Sequence, residues 1–196
     1  MRIRNTNKQD LVKAKAIELL VKEGFEGFSM GKLARACSIS VATLYIYYHD
    51  KDDLIKKLGC ELGDRFFEAA LTDFHPDMHF ADGLKKQWDN RMAYTLANQQ
   101  ETKCYEVIRH SPHGEYVLQQ TAKGFGNIMG QFCHNAVLNN ELVPVTMEVF
   151  WSLAFGPLYN MLRFHAEGKS LGKRPFSMTE AMRDEAFKLV IKALTP

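Results

Sequence analysis

No window of the 196-residue chain approaches the roughly 18 or more consecutive apolar residues that a bilayer-spanning helix requires, which excludes an integral membrane helix. Its four cysteines, Cys37, Cys60, Cys104 and Cys133, include no CxxC pair, and their wide spacing argues for reduced, small hydrophobes instead of a disulfide framework. There is no Gly-rich phosphate loop, no convincing pair of catalytic carboxylates, no internal repeat and no long low-complexity tract. No series of alternating strands appears either. The opening MRIRNTNKQD is basic but has no apolar run behind it, so no secretory peptide is expected and the cytoplasm is the expected compartment. A strong global charge is also lacking: the formal net is only +2, which says little about a polyanionic partner.

What is present is the composition of a soluble globular protein, 46% hydrophobic and 24% charged. The length allows one domain or a small module joined to a larger one. Charge is unevenly placed. Residues 1–57 hold 11 Lys/Arg against 7 Asp/Glu, a net of +4, leaving 14 against 16, a net of −2, in residues 58–196. The positive end is the one expected to meet phosphate, although unequal ends also occur without that role.

Helical periodicity runs through nearly the whole sequence. Val12, Ala16, Ile17, Leu19 and Leu20 form a stripe over residues 8–23, stopped by Gly24. Ser29 is a suitable N-cap for a short helix over 30–36, and Ser40 for a second beginning at 41 and carrying VATLYIYY. Two short helices separated by about four residues, behind a longer packing helix, form a helix-turn-helix pattern. Asp50 is an N-cap candidate for a connector helix to about residue 71. Further helices are expected over 81–98, with Leu84, Trp88, Met92 and Leu96 at near-four spacing, over 100–109 and over 111–139. The last of these is weakened by Gly124, Gly126 and Gly130. Pro144 is placed in the first turn of a helix over 144–167, and Ser177 with Glu180 matches a capping box opening a final helix to about 194.

The run SMGKLARACSISVATLYIYYHDKDDL, preceded by AIELLVKEGFEGF, resembles the N-terminal domain of the TetR family of transcriptional repressors over residues 12–54. Leu33 and Ala34 match the packing pair of the motif's first helix, and Ile39 its apolar turn position. Ser40, Thr43, Leu44, Tyr45, Tyr48 and Lys51 match its later positions, Tyr48 standing where Phe is more frequent. Cys37 and Ser38 replace the usual Ala-Gly, and Ala42 a frequent Gly. The resemblance implies an all-α protein. Residues 1–50 would form a three-helix DNA-binding head, and residues 51–196 a larger helical domain for ligand sensing and dimerisation. Beyond about residue 60 only length and helical layout carry it.

Chemistry assigns roles to the same residues. Small and hydrogen-bonding side chains at the start of a recognition helix let it enter the major groove, which suits Ser40, Val41, Ala42 and Thr43. Thr43 is placed to meet a base edge, and Val41 and Ala42 thymine methyl groups. Ser29, Tyr45, Tyr47 and Lys51 are candidates for phosphate contacts, with Arg2, Arg4 and Lys8 of the basic lead near neighbouring phosphates or the minor groove. Leu44 and Tyr48 suit the inward face.

One head touches only a few base pairs, so a two-fold partner is expected. The broad apolar surfaces of 144–167 and 177–194, with Trp151, Phe155, Tyr159, Met182, Ala186 and Leu189, fit either a four-helix contact between copies or an ordinary core; the resemblance favours the homodimer. It also implies an inducer cavity. Trp88, Met92, Leu96, Tyr105, Tyr116, Phe125, Met129 and Phe132 are the candidate lining for a small apolar or amphipathic effector, although each also reads as simple core. No cofactor, metal or membrane partner is expected. His75 and His79 flank Pro76, which breaks the helix they would need. Cys104, His110, His113, Cys133 and His134 follow no recognised zinc spacing, and Cys133 beside His134 lacks a third group to orient a base. The readings left are a ligand-responsive repressor of palindromic operator DNA, a DNA-binding regulator without ligand response, and, weakest, an all-helical enzyme.

Overall fold

Gly24 adopts φ +72° and ψ 179°, a conformation open to a residue without Cβ, and it breaks the regular geometry of the first helix, α1 (Arg2–Gly27). The computed structural model describes the backbone of residues 2–196 and the side chains from residue 8 onward, so Arg2 and Arg4 lie outside the described side chains. Among the described residues there are nine α-helices and one short 3-10 turn, Leu171–Lys173, and the chain folds as two packing units.

The first unit holds the residues up to Arg65 together with Asn98–Lys123. Val12, Ala16, Ile17 and Leu20 of α1 are buried, as the stripe requires. They pack with Leu33 and Ala34 of α2 (Met30–Ala36), Leu44 of α3 (Val41–Tyr45), and Leu54, Ile55, Leu58 and Leu62 of α4 (Lys51–Ala70). Cys104, Tyr105 and Ile108 of α6 (Gln99–Arg109) and Val117 of α7 (Gly114–Leu138) complete this core. Gly59 lets α4 pack closely on its neighbours: a Cβ there would lie 2.8 Å from Val117 and 2.9 Å from Ile108.

The second unit holds Phe66–Ala97 and Gly124–Pro196. Its core is aromatic: Phe74, Phe80, Trp88, Phe125, Phe132, Phe150 and Phe155 are all buried. Phe132 stacks on Phe80 at 5.8 Å and meets Phe74 edge-on at 5.1 Å, while the Trp88 indole N–H donates to the Ala154 carbonyl at 2.7 Å. The elements are α5 (Phe80–Ala97), the remainder of α7, α8 (Met147–Glu167) and α9 (Glu180–Leu194). A carboxylate oxygen of Glu141 accepts the Phe80 amide at 2.6 Å, closing the start of α5 from sixty-one residues away.

Several boundaries differ from the sequence reading, each because a different hydroxyl or backbone group wins the local competition. The helix expected from Pro144 starts at Met147, where the Thr146 hydroxyl accepts the Val149 amide. The final helix is capped by Thr179, whose hydroxyl accepts the Met182 amide at 3.3 Å. Ser177 is not its cap, since Met178 is tied instead to the His165 ring. Ser111 does not open α7. Its hydroxyl donates to the Ile108 carbonyl at 2.6 Å, and the helix begins at Gly114. Gly124, Gly126 and Gly130 leave α7 unbroken. The helix expected over VATLYIYY stops at Tyr45, where Ile46 caps it and the chain passes into turns.

Candidate nucleic-acid interface

Two serines set the geometry of the helix-turn-helix. Ser29 is extended (φ −146°, ψ 154°) and its hydroxyl accepts the Lys32 amide at 3.3 Å, opening α2. Ser40 repeats the arrangement for α3, accepting the Thr43 amide at 3.1 Å, and its Oγ lies 2.8 Å from the Thr43 Oγ1. Between them Cys37 closes α2 onto the Leu33 carbonyl, and Ser38 takes φ +53°. That left-handed value is the one the usual glycine would adopt freely, so serine reaches the turn at some backbone cost.

α3 divides its residues cleanly. Leu44 is fully buried and Tyr48 nearly so, burial pushing the Tyr48 phenol above its ordinary pKa. Ser40, Val41, Ala42 and Tyr45 are exposed and Thr43 is half-buried, so the first turn presents small side chains and hydroxyls outward. Ile46 is 75% exposed, the most exposed large apolar residue of the first unit among the described residues; the sequence reading passed over it because it treated the aromatic run as continuous helix. Tyr47 is half-buried and engaged with neighbouring groups.

Lys51 has a second commitment. Its ammonium donates to the Phe25 carbonyl at 3.0 Å and sits 4.2 Å from the centre of the Phe25 ring, tying the start of α4 to the end of α1. The first turn of α4 is fixed from the other side by Asp50, which accepts the Asp53 amide at 2.8 Å. That amide, with the neighbouring His49 ring, holds the Asp50 carboxyl below its ordinary pKa. On α2, Lys32 is occupied by Glu23 and by the Gly27 carbonyl.

The other candidate sites are dispersed. Of the proposed effector lining, Tyr105 and Tyr116 belong to the first unit, whereas Trp88, Met92, Leu96, Phe125, Met129 and Phe132 belong to the second. Trp88, Phe125, Met129 and Phe132 are core, Met92 is half-buried, and Tyr116 and Leu96 are exposed. A cleft of about 260 Å³ in the first unit is lined by Val12, Lys13, Tyr47, Tyr48, Lys57 and Glu61 among others, and one of about 290 Å³ in the second by Cys133, His134, Val137, Pro144, Met147 and Phe150 among others. None of the eight candidates lines either cleft. Of the dimer candidates, Met182 and Leu189 are exposed, Trp151, Tyr159 and Ala186 half-buried, and Phe155 fully buried inside its own chain. Phe155 is therefore an internal packing residue, and the outward apolar face of α8 is made by Val149 and Leu153.

Sequence reasoning also missed Arg91 and Gln87, the two fully buried polar side chains among the described residues. Gln87 lies three residues after Leu84 and Arg91 three after Trp88, on the face of α5 that those residues bury, but neither side chain type is one that burial at helical spacing suggests. The Cys133 and Cys104 thiols are pushed up to about 11 and about 12 by burial, so neither is a thiolate at neutral pH. Among the described residues no three His, Cys, Asp or Glu side chains gather as a metal site, and no helix is long and apolar enough to cross a membrane.

Comparison with known proteins agrees with this geometry. Residues 12–58 match the family model described as bacterial regulatory proteins, tetR family. The chain is 25% identical to the HTH-type transcriptional regulator YvkB of Bacillus subtilis, covering 98% of this chain and 99% of that protein. It is 22% identical to an HTH-type transcriptional regulator of Haemophilus influenzae, over 82% and 84% of the two chains. Its fold superposes with a TM-score of 0.76 on a TetR family transcription regulator from Marinobacter aquaeolei VT8, at 24% identity and over 100% and 99% of the chains. The helix-turn-helix thus lies within the segment that matches the tetR family of bacterial regulatory proteins, and the all-α fold is shared with a solved TetR family structure over the length of both chains.

Proposed function

We propose that the protein is a cytoplasmic, ligand-responsive repressor that binds a palindromic operator as a homodimer and is released by a small-molecule inducer. The observation that carries this reading is the capped first turn of α3, where Ser40, Val41 and Ala42 face outward while Leu44 holds the helix to the core. Thr43 reads a base edge, Val41 and Ala42 meet thymine methyl groups, and Ser29, Tyr45, Tyr47 and Lys51 set the register on phosphates. On this reading residues 1–50 serve recognition and 51–196 serve sensing and dimerisation. Two heads then occupy half-sites separated by about 34–36 Å or a larger helical repeat.

Dimerisation is assigned to α8 and α9, supported by their exposed Val149, Leu153, Met182 and Leu189. Trp151, Tyr159 and Ala186 lie on the same helices and are half-buried, so a partner has ring and methyl surface to cover. α4 is one unbroken helix from Lys51 to Ala70, with residues of both packing units on it. An effector held in the second unit by residues such as Trp88, Met92, Phe125 and Met129 releases DNA if it favours a position of α4 that the operator-bound state does not allow; equal affinity for both states would switch nothing.

The fully buried Trp88 and Phe132 favour a second reading, a regulator of the same DNA-binding kind whose filled core takes no ligand. Selection of bound duplexes from a random pool, followed by competition with candidate small molecules, separates the two. An inverted repeat whose binding weakens on adding a ligand supports the repressor; an inverted repeat indifferent to every ligand favours the second reading. Binding that ignores sequence and fades with salt would refute both.

A further inference from the structure

Arg91 lies on α5 with no exposed surface, makes no ion pair among the described residues, and is ringed by aromatic faces. Its guanidinium carbon is 4.2 Å from the centre of the Phe155 ring, 5.1 Å from Phe125, 5.2 Å from Trp151, 5.6 Å from Phe66 and 6.0 Å from Tyr159. One terminal nitrogen donates to the Tyr159 hydroxyl at 2.6 Å and the other to the Gln87 side-chain carbonyl at 3.1 Å. Gln87 is held in turn by its amide, which donates to the Ala70 carbonyl at 2.8 Å. The Arg91 Nε–H has no acceptor, and one helical turn along α5 the Thr95 hydroxyl is buried without a partner too. Gln87, Arg91 and Thr95 thus form a polar stripe at four-residue spacing, set into the aromatic core of the second unit.

A guanidinium stays charged, and ring faces supply partial negative charge but no acceptor for its N–H groups. A buried cation left without an anion is costly, and an unmet donor beside it adds to that cost. The unused Nε edge, with a second N–H of a neighbouring terminal nitrogen, is the side of the fork that takes both oxygens of a carboxylate. We propose that Arg91 and Thr95 anchor the carboxylate of an acidic, otherwise apolar effector, whose hydrocarbon or aryl body lies against the surrounding rings. The inference rests on the ligand-responsive reading and names the chemical class of its ligand. Trp151 and Tyr159 are only half-buried, and Met92 and Met161, whose unbranched side chains adapt to irregular neighbours, pack partly buried on the same core.

The test is calorimetric titration of the full chain with straight-chain carboxylic acids from acetate to dodecanoate and with 3-phenylpropionate, each beside its primary amide. The tightest acid should exceed its amide by about tenfold or more. Arg91→Met should abolish that preference, and Thr95→Val should reduce it. If Arg91→Met does not fold, Arg91→Lys carries the test, because it keeps the charge, loses the Nε edge and should lower the preference. Acids that bind no better than amides, no binding by either series, or an acid preference that survives loss of the guanidinium would each overturn the proposal. Adding the same compounds to the complex with the selected duplex separates this inference from the function it rests on. Release by amides and not acids refutes the Arg91 site and leaves the repressor standing. Acid binding through Arg91 without release keeps the site and refutes the inducer.

Discussion

The two packing units handle polar groups in opposite ways. In the first, the hydroxyls of Ser29 and Ser40 close helix ends at the surface and leave small side chains facing water. In the second, Gln87, Arg91 and the Thr95 hydroxyl are turned inward among rings. The difference teaches that the surface proposed to meet DNA needs only local geometry, since a partner and water can complete its hydrogen bonds. A polar stripe inside a core has to be completed by the protein or by a guest.

The comparison is broken most sharply at Ala42. Ala42→Glu places a carboxylate on the exposed first turn of α3, opposite phosphates, and should cost about a thousandfold in affinity for the selected operator. The thermal midpoint should stay near that of the parent. Fluorescence anisotropy and a melting curve read both quantities, and a large fall in the midpoint would mean that Ala42 supports the core. The converse substitution is Gly83→Ala in the second unit, where a Cβ would lie 2.5 Å from the Phe132 ring, itself held by Phe74 and Phe80. Denaturant titration should show a loss of about 2 kcal/mol, with operator affinity of the folded fraction retained.

Ser40→Ala tests a residue that caps α3 and is proposed to face DNA as well. Removing the hydroxyl that accepts the Thr43 amide should cost about 1 kcal/mol of stability and weaken operator binding as well. An effect on stability alone would take Ser40 out of the reading surface. The smallest effect is expected at Asp50. Its folded carboxyl is held below the ordinary value of 3.8, so its contribution is present above that pH and is lost as pH falls through the folded value. Asp50→Asn keeps a capping side chain without a titrating group, and its stability should decline less steeply than the parent's in acid, followed by circular dichroism.

The head was legible because its signals are short-range. Caps three residues from the amides they accept, a breaker at Gly24 and buried positions at helical spacing all lie within one stretch of chain. The second unit was misread where periodicity had to be extrapolated. Leu84, Trp88, Met92 and Leu96 keep a spacing of four, while a helix repeats every 3.6 residues, so that row drifts off the buried face and Leu96 ends 37% exposed. The face that stays inside passes through Phe80, Leu84, Gln87, Trp88 and Arg91. No local pattern announces a buried arginine, because its environment is supplied by Phe125, Trp151 and Phe155 from elsewhere in the chain. Likewise, grouping aromatics by sequence interval joined Tyr105 and Tyr116 to residues that pack in a different unit.

The serine that turns the chain between α2 and α3 leaves the protein room to be made sturdier. At φ +53° it occupies backbone space that glycine would fill without steric penalty, yet it lies outside the surface proposed to read bases. A variant regulator that withstands higher temperature while choosing the same operator is therefore one codon change away, at position 38.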